Sequence, residues 1–439
     1  MRYEDYKKVD LPWLEEVPSH WEIVRNKNLF KHKKDILGNE SEFAQLLSLT
    51  TMGIKKINIE ESKGKTPMSY DTYQKVCKDD LVLCLFDLDV SAVFSDVSKY
   101  CGMISPAYQV FESDIVYMNY YKYIFDKIFQ DRSYKLHSKS LRYTITPDNF
   151  LMLNMIVPPT EEQEQIARFL DWKINEIDRL IEQKKKKVEL IETVYNETLN
   201  KNFNILNDGE VIKIKFKNFA KLQNGISESG DFFTDGNPFI SYSMVYNNSF
   251  LPTNIKDKAK SSKSQQEQFS VMEGDIFITR TSEKVSDAFM VSLCEKTIEK
   301  ATFSGFLIRA RIFKENIIPK FLLFYLMTDE IREELLKNLN LVTRVSISQD
   351  LIKNLSFAIP TLEYQKEIIR KCEKITKQKN ILKNNISLQI NNLKQLKQSL
   401  ISDVVTGRID VRKVDIPYYE NVSNVIEEAI LEDDFDKEE

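Results

Sequence analysis

The chain has 439 residues with 42% hydrophobic and 11% aromatic content, enough for two to four globular domains, and holds no run of about 18 apolar residues that could span a membrane. Its net charge of −4 excludes a protein that grips a polyanion by bulk charge, so any nucleic-acid contact must come from local patches. The charge is uneven: residues 411–439 carry ten acidic and three basic side chains, a net of −7, which leaves about +3 on residues 1–410.

The opening Met1-Arg-Tyr-Glu-Asp-Tyr-Lys lacks an apolar core and is not expected to be a signal peptide. Cys77, Cys84, Cys101, Cys294 and Cys372 are odd in number and scattered. They fit neither a disulfide framework nor a zinc knuckle, and a reducing cytoplasm is expected.

Residues 1–157 are predicted to form a first α+β domain. Asp79-Asp-Leu-Val-Leu-Cys-Leu-Phe86 and Ser105-Pro-Ala-Tyr-Gln-Val-Phe111 read as strands, and aromatics at one-turn spacing predict a helix over 117–130. Pro158-Pro159 and the acidic turn Thr160-Glu-Glu then open a long helix within a first spacer, 158–205. Ile166, Leu170, Ile174, Ile177, Ile181, Val188, Ile191 and Tyr195 give it a heptad seam. A second α+β domain follows over 206–357, with strands at 274–280 and 304–311 and one helix over 319–339. Pro360 opens a second spacer, 358–410, whose seam is Ile368, Ile375, Leu382, Ile386, Ile390, Leu393, Leu396, Leu400 and Val404, stopped by Gly407. Residues 411–439 read as a solvated acidic extension. Helices over 161–199 and 361–405 would be rods of roughly 60–70 Å. Rods of matched length are expected to pair as an antiparallel coiled coil, with the two domains at opposite ends about a pseudo-two-fold axis.

The chain also repeats itself. Arg142-Tyr-Thr-Ile-Thr-Pro-Asp148 returns as Arg344-Val-Ser-Ile-Ser-Gln-Asp350, and Ile156-Val-Pro-Pro-Thr-Glu-Glu-Gln163-Glu-Gln-Ile166 returns as Ala358-Ile-Pro-Thr-Leu-Glu-Tyr-Gln365-Lys-Glu-Ile368, at a constant offset of 202. A period this long is no solenoid unit; a whole module of one domain and one helix occurs twice.

Catalytic motifs are missing. Gly64-Lys-Thr66 resembles the end of a phosphate-binding loop, but Ile59 stands where the first glycine is required. His20, His32 and His137 have no partner at ligand spacing. Asn237-Pro-Phe239 lacks the second proline of an amino-methyltransferase motif and reads as a turn, and Asp87 and Asp89 read as a loop capped by aspartates. The chain is expected to recognise rather than react.

Candidate nucleic-acid contacts are Lys55, Lys56, Lys63 and Lys65 in the first copy, and Lys256, Lys258, Lys260 and Lys263 in the second. Clustered lysines on loops suit phosphate neutralisation, although such runs are also ordinary solvated loops. Ser138-Lys139-Ser-Leu-Arg142-Tyr143 and Thr343-Arg344-Val-Ser346, with Arg280 ending a predicted strand, are more specific. An arginine among hydroxyl residues can offer a fork to guanine or clamp a phosphate, or it can tie a loop in place. The run Lys184–187 reads as a solvated helix face.

A domain ending in proline, then Gln-x-x-Ile, then a long helix, the whole duplicated, resembles the specificity subunit of type I restriction–modification enzymes. So do the opening Trp13-Leu-Glu-Glu-Val-Pro-Ser-His-Trp21-Glu and the ending Leu400-Ile-Ser-Asp-Val-Val-Thr-Gly407-Arg-Ile-Asp-Val411, where a glycine and a short strand are expected to follow the last helix. The resemblance covers about residues 11–412. The second copy departs from it in lacking the tryptophan opening and in having Tyr364 where the first has Glu162.

The resemblance implies two target-recognition domains, each reading half of a split site in double-stranded DNA, with the helices as spacer. It implies two modification subunits, which bind S-adenosylmethionine and methylate adenine, and restriction/translocase subunits driven by ATP and Mg. The chain itself would be no enzyme and hold no cofactor. The alternatives are a self-contained methyltransferase or nuclease, and a coiled-coil scaffold that binds no DNA.

Overall fold

Tyr120, Tyr121, Ile124, Phe125 and Ile128 recur every three or four residues and build one buried face of α1, Met118–Gln130. The computed structural model describes residues 2–51, 53–58, 69–92, 94–138, 142–204, 211–228, 230–282, 288–337 and 345–420. Two units emerge, Met1–Lys184 with Leu388–Glu439, and Lys185–Ser387.

In the first unit, α1 shares a core with an antiparallel sheet of spatial order Lys31–Lys33, Gln109–Glu112, Leu81–Leu83, Ser95–Val97. Two of these strands are shorter than predicted. Asp79 turns left-handed at φ 70° just before Leu81, and the Tyr108 N–H donates to the Ser105 carbonyl in a turn that delays the other strand to Gln109. α2, Pro147–Met152, starts on Thr146, whose hydroxyl accepts from the Asn149 N–H, with Pro147 where no donor is needed. Asn154–Val157 then pairs antiparallel with Glu22–Arg25 and delivers the chain to α3, Thr160–Asn204. Ile166, Ala167 and Leu170 of α3 enter the core from one side, and Ile401, Val404, Val405 and Val411 from the other end of the chain.

The second unit repeats this plan. Its sheet runs Ala220–Asn224, Leu307–Ile312, Ile276–Thr279, Val291–Leu293, antiparallel throughout, and Ile212–Lys215 pairs with Ser356–Ile359 as Glu22–Arg25 does with Asn154–Val157. The short helices α4, Tyr242–Asn247, and α5, Lys263–Gln268, lie before the central strand; a reciprocal Ser262–Gln265 box caps α5. The single helix predicted over 319–339 is two, α6 (Pro319–Leu326) and α7 (Asp329–Lys337). The Thr328 hydroxyl donates to the Tyr325 carbonyl and closes α6, and the Asn200 amide oxygen accepts from the Asp329 N–H to open α7. α8, Gln349–Asn354, is capped by Ser348 as α2 is by Thr146. α9, Leu362–Val405, starts with Ile368, Ile369 and Cys372 in this core, met by Tyr195, Leu199 and Phe203 of α3. That stripe at i, i+4, i+8 carries α3 past residue 199, where the sequence reading ended the helix.

Asn237–Ile240, read from sequence as a turn, is a strand paired with Lys258–Ala259 and Thr302–Phe303. After Gly407 no strand forms among the described residues. Instead Ile409, Val411, Val414 and Ile416 pack on the first core, and the Gln165 amide donates to the Val411 and Val414 carbonyls at 3.0 and 2.8 Å.

Within each unit the two long helices run antiparallel. In the first, Lys397 meets Asp178 at 2.7 Å and Lys184 meets Gln389 at 2.6 Å. In the second, Glu192 pairs with Lys379 and Lys383, and the Tyr195 hydroxyl lies 3.2 Å from that of Thr376. The seam is less regular than predicted, since Leu382 and Leu396 are exposed at 48% and 54%. Near Glu192 and Tyr195 the facing positions are taken by Lys379 and Lys383, and the Lys379 ammonium sits 3.8 Å from the Tyr195 ring centroid.

Candidate nucleic-acid interface

Each unit builds the same backbone platform beside its central strand. In the first, the Ile145 N–H donates to the Leu85 carbonyl at 2.8 Å, and the Asp87 N–H to the Arg142 carbonyl at 2.9 Å. In the second, the Ile347 N–H donates to the Arg280 carbonyl at 2.8 Å, and Thr281–Ser282 pairs antiparallel with Val345–Ser346. Ile145 and Ile347 are the same position of the repeat, so this bond recurs at the same place in both platforms.

On the first platform the Arg142 side chain is 76% exposed. Its Nε and Nη2 donate to the two Asp87 carboxylate oxygens at 3.0 and 2.9 Å. Nη1 has no partner among the described residues. Asp87 and Tyr143 both adopt left-handed backbone, φ 50° and 43°, and Tyr143 is partly exposed. Asp87, read as a loop cap, is thus also the acid that holds the arginine. On the second platform Arg280 is half-buried, its backbone N–H on the Phe306 carbonyl and its guanidinium without a partner among the described residues.

The lysines are exposed. Lys55 and Lys56 end the hairpin of Leu47–Thr50 and Gly53–Lys56, with the Lys56 ammonium 4.8 Å from the Tyr100 ring centroid. Lys256 and Lys258 stand in solvent, Lys260 pairs loosely with Asp235 at 3.6 Å, and Lys263 opens α5. No hydrogen bond or ion pair among the described residues joins the Lys55–Lys56 hairpin to the Arg142 platform. Lys63, Lys65, Lys139 and Arg344, like Gly64-Lys-Thr66 and residues 421–439, lie outside the described residues.

Sequence reasoning missed the supports beneath these loops. Asp275, fully buried, receives the Arg311 Nε and Nη2 at 2.7 and 2.6 Å and the Met272 N–H at 2.7 Å. Arg309 donates to the Ser270 carbonyl and to Gln223, and burial pushes its guanidinium down to about 10. Together they pin the segment that follows Lys263 and α5 to the sheet. The same turn recurs in the first unit, where Asp80 accepts from the Cys77 N–H at 2.6 Å and from Lys33 at 2.8 Å. The signal was present: strict alternation puts Arg309 and Arg311 on one face of their strand.

The opening and ending motifs meet inside the first unit. The nearly buried Glu162 carboxylate accepts from the Tyr3 hydroxyl at 3.1 Å and from the Trp21 indole at 3.0 Å. It also lies 2.6 Å from the His20 Nε2. The Tyr6 hydroxyl donates to the Gly407 carbonyl at 2.8 Å. Gly407 has φ 75°, and a Cβ there would lie 2.5 Å from Pro18. No group of acidic, His or Cys side chains among the described residues could hold a metal ion.

Residues 200–392, nearly all of the second unit, match the family described as Type I restriction modification DNA specificity domain. The chain is 20% identical to the type I restriction enzyme EcoKI specificity subunit of Escherichia coli (strain K12), over 76% of each. The chain is similar to type I specificity subunits. A solved chain from work on complex assembly and conformational transition of the type I R-M system shares the fold. It has a TM-score of 0.58 and 12% identity, and the match covers 90% of this chain and 99% of that one. The family match falls on the second unit, and the platform, turn and helix junction of that unit recur in the first.

Proposed function

We propose that this chain is the DNA-reading subunit of a type I restriction–modification complex, with residues 1–157 and 206–357 each reading one half of a bipartite site. The observation that carries the reading is the duplicated unit: one sheet order, one platform and one helix junction, built twice with different side chains on the platform. Two readers in one chain suit a split site. The paired helices set the gap between the half-sites and dock two modification subunits. Exposed Leu180, Leu388 and Leu396 in the first unit, and Leu190, Val194 and Ile381 in the second, offer apolar contact for such partners. S-adenosylmethionine, ATP and Mg belong to the modification and restriction/translocase subunits, and this chain performs no chemistry of its own. Such a reader works in the cytoplasm, beside the DNA; no described helix is long and apolar enough to cross a membrane.

The test incubates the purified chain with labelled S-adenosylmethionine and duplex DNA, with and without modification subunits. Methyl transfer to adenine is expected only in the complete mixture, at a bipartite sequence. Robust transfer by the chain alone would make it a self-contained methyltransferase. No methyl transfer at a bipartite sequence even in the complete mixture would favour the scaffold.

A further inference from the structure

We propose that Asp87 aims Arg142 at a guanine in the half-site read by the first unit, so that the pair is a specificity determinant and Asp87 a positioning residue. This inference rests on the DNA-reading assignment above.

A guanidinium has two usable edges. Asp87 occupies the side edge, taking Nε at 3.0 Å and Nη2 at 2.9 Å. The end edge, one Nη1 hydrogen and the second Nη2 hydrogen, has no partner among the described residues and belongs to a side chain that is 76% exposed. Two parallel donors at that edge match the O6 and N7 acceptors of guanine in the major groove. An unrestrained arginine must lose rotamer freedom when it meets DNA; one already clamped by a carboxylate has lost it beforehand.

The carboxylate also discriminates between base and phosphate. A phosphate clamp gains from net positive charge, and an aspartate within 3 Å of the guanidinium cancels that charge and repels the backbone. A base edge carries no net charge, so the aspartate costs little there and supplies orientation. The backbone fixes both partners as well: the Asp87 N–H bonds the Arg142 carbonyl, and Asp87 and neighbouring Tyr143 are both held left-handed, conformations that L side chains rarely adopt. On the second platform the place of Asp87 is taken by Ser282, which has no carboxylate to offer an arginine.

The experiment uses the full chain assembled with its modification subunits, selecting from a library of randomised duplexes at several salt concentrations. Wild type, Arg142→Ala, Arg142→Lys and Asp87→Ala are compared, with thermal melting to check folding. Wild type is expected to require G at one position of one half-site. Both Arg142 variants should lose that preference by about 10- to 100-fold. Asp87→Ala should relax the same position, with the other half-site and the salt dependence unchanged. Arg142→Lys keeps the charge but not the fork, so its loss of preference separates base reading from simple attraction.

An unaltered base preference in Arg142→Ala with wild-type melting would overturn the proposal. So would a salt slope lowered by about one unit in Arg142→Ala without any change in base preference, the mark of a phosphate contact. A wild-type complex that selects no sequence would instead overturn the DNA-reading assignment itself.

Discussion

Gln163 and Gln365 fasten each unit to its long helix, and replacing either by leucine isolates what one buried amide does. The Gln163 side chain is almost wholly buried; its Oε1 accepts from the Tyr117 N–H at 3.0 Å, and its Nε2 donates to the Pro158 carbonyl at 2.8 Å. Gln365 repeats both bonds, from the Ile318 N–H at 2.9 Å and to the Pro360 carbonyl at 3.0 Å, and adds the Asn316 carbonyl at 2.8 Å. One residue thus joins the start of α1 or α6 to the proline that opens α3 or α9. Leucine is of similar size and cannot hydrogen-bond, so Gln163→Leu strands the Pro158 carbonyl in the buried interior and leaves the part-buried Tyr117 N–H without its acceptor. Each orphan costs about 1–3 kcal/mol, giving roughly 2–5 kcal/mol for Gln163→Leu and somewhat more for Gln365→Leu. Urea unfolding measures both. Trp13, Trp21 and Trp172 all belong to the first unit, so tryptophan fluorescence follows Gln163→Leu, and helical circular dichroism follows Gln365→Leu. A loss below about 0.5 kcal/mol in either variant would refute the reasoning, because the stranded groups would have found other partners.

Burial on α1 pushes the Asp126 carboxyl up to about 7, with Asp96 adding to the rise and Lys122 and Lys397 opposing it. The folded chain therefore keeps this proton to about pH 7 and the unfolded chain only below about pH 4, so the group's contribution to stability falls as pH rises between them. Asp126→Asn should flatten the fall of melting temperature across that window, and an unchanged slope would contradict the assignment. Glu162→Leu should cost roughly 2–4 kcal/mol in urea unfolding followed by tryptophan fluorescence, since the Trp21 indole N–H and the Tyr3 hydroxyl both lose their acceptor. An unmoved midpoint would show that the acid is dispensable.

The part of the module legible in sequence is the part whose geometry tolerates no change of length. Ile145 and Ile347, the caps Thr146 and Ser348, and Gln163 and Gln365 all keep one offset because each makes the same backbone bond in both units. Upstream, strands of three to six residues joined by loops of different length hide an identical sheet order, since strands so short carry little periodicity. Heptad arithmetic placed the long helices but not their seam. It counted Leu382 and Leu396 as apolar contacts, although Glu192 draws Lys379 and Lys383 into the interface beside the first and Asp178 draws Lys397 in beside the second. Arg142 stood out beside its hydroxyl neighbours, but its bond to Asp87, 55 residues earlier, is a tertiary fact that no local pattern announces.

The central claim is that each unit reads its own half-site. Exchanging residues 206–357 for the matching stretch of another specificity subunit, expressing the hybrid with modification subunits, and mapping methylated adenines across the host genome tests it most directly. The account predicts a new site in which one half-site has changed and the half-site of the first unit is kept base for base. A site altered in both halves, or in neither, would contradict it.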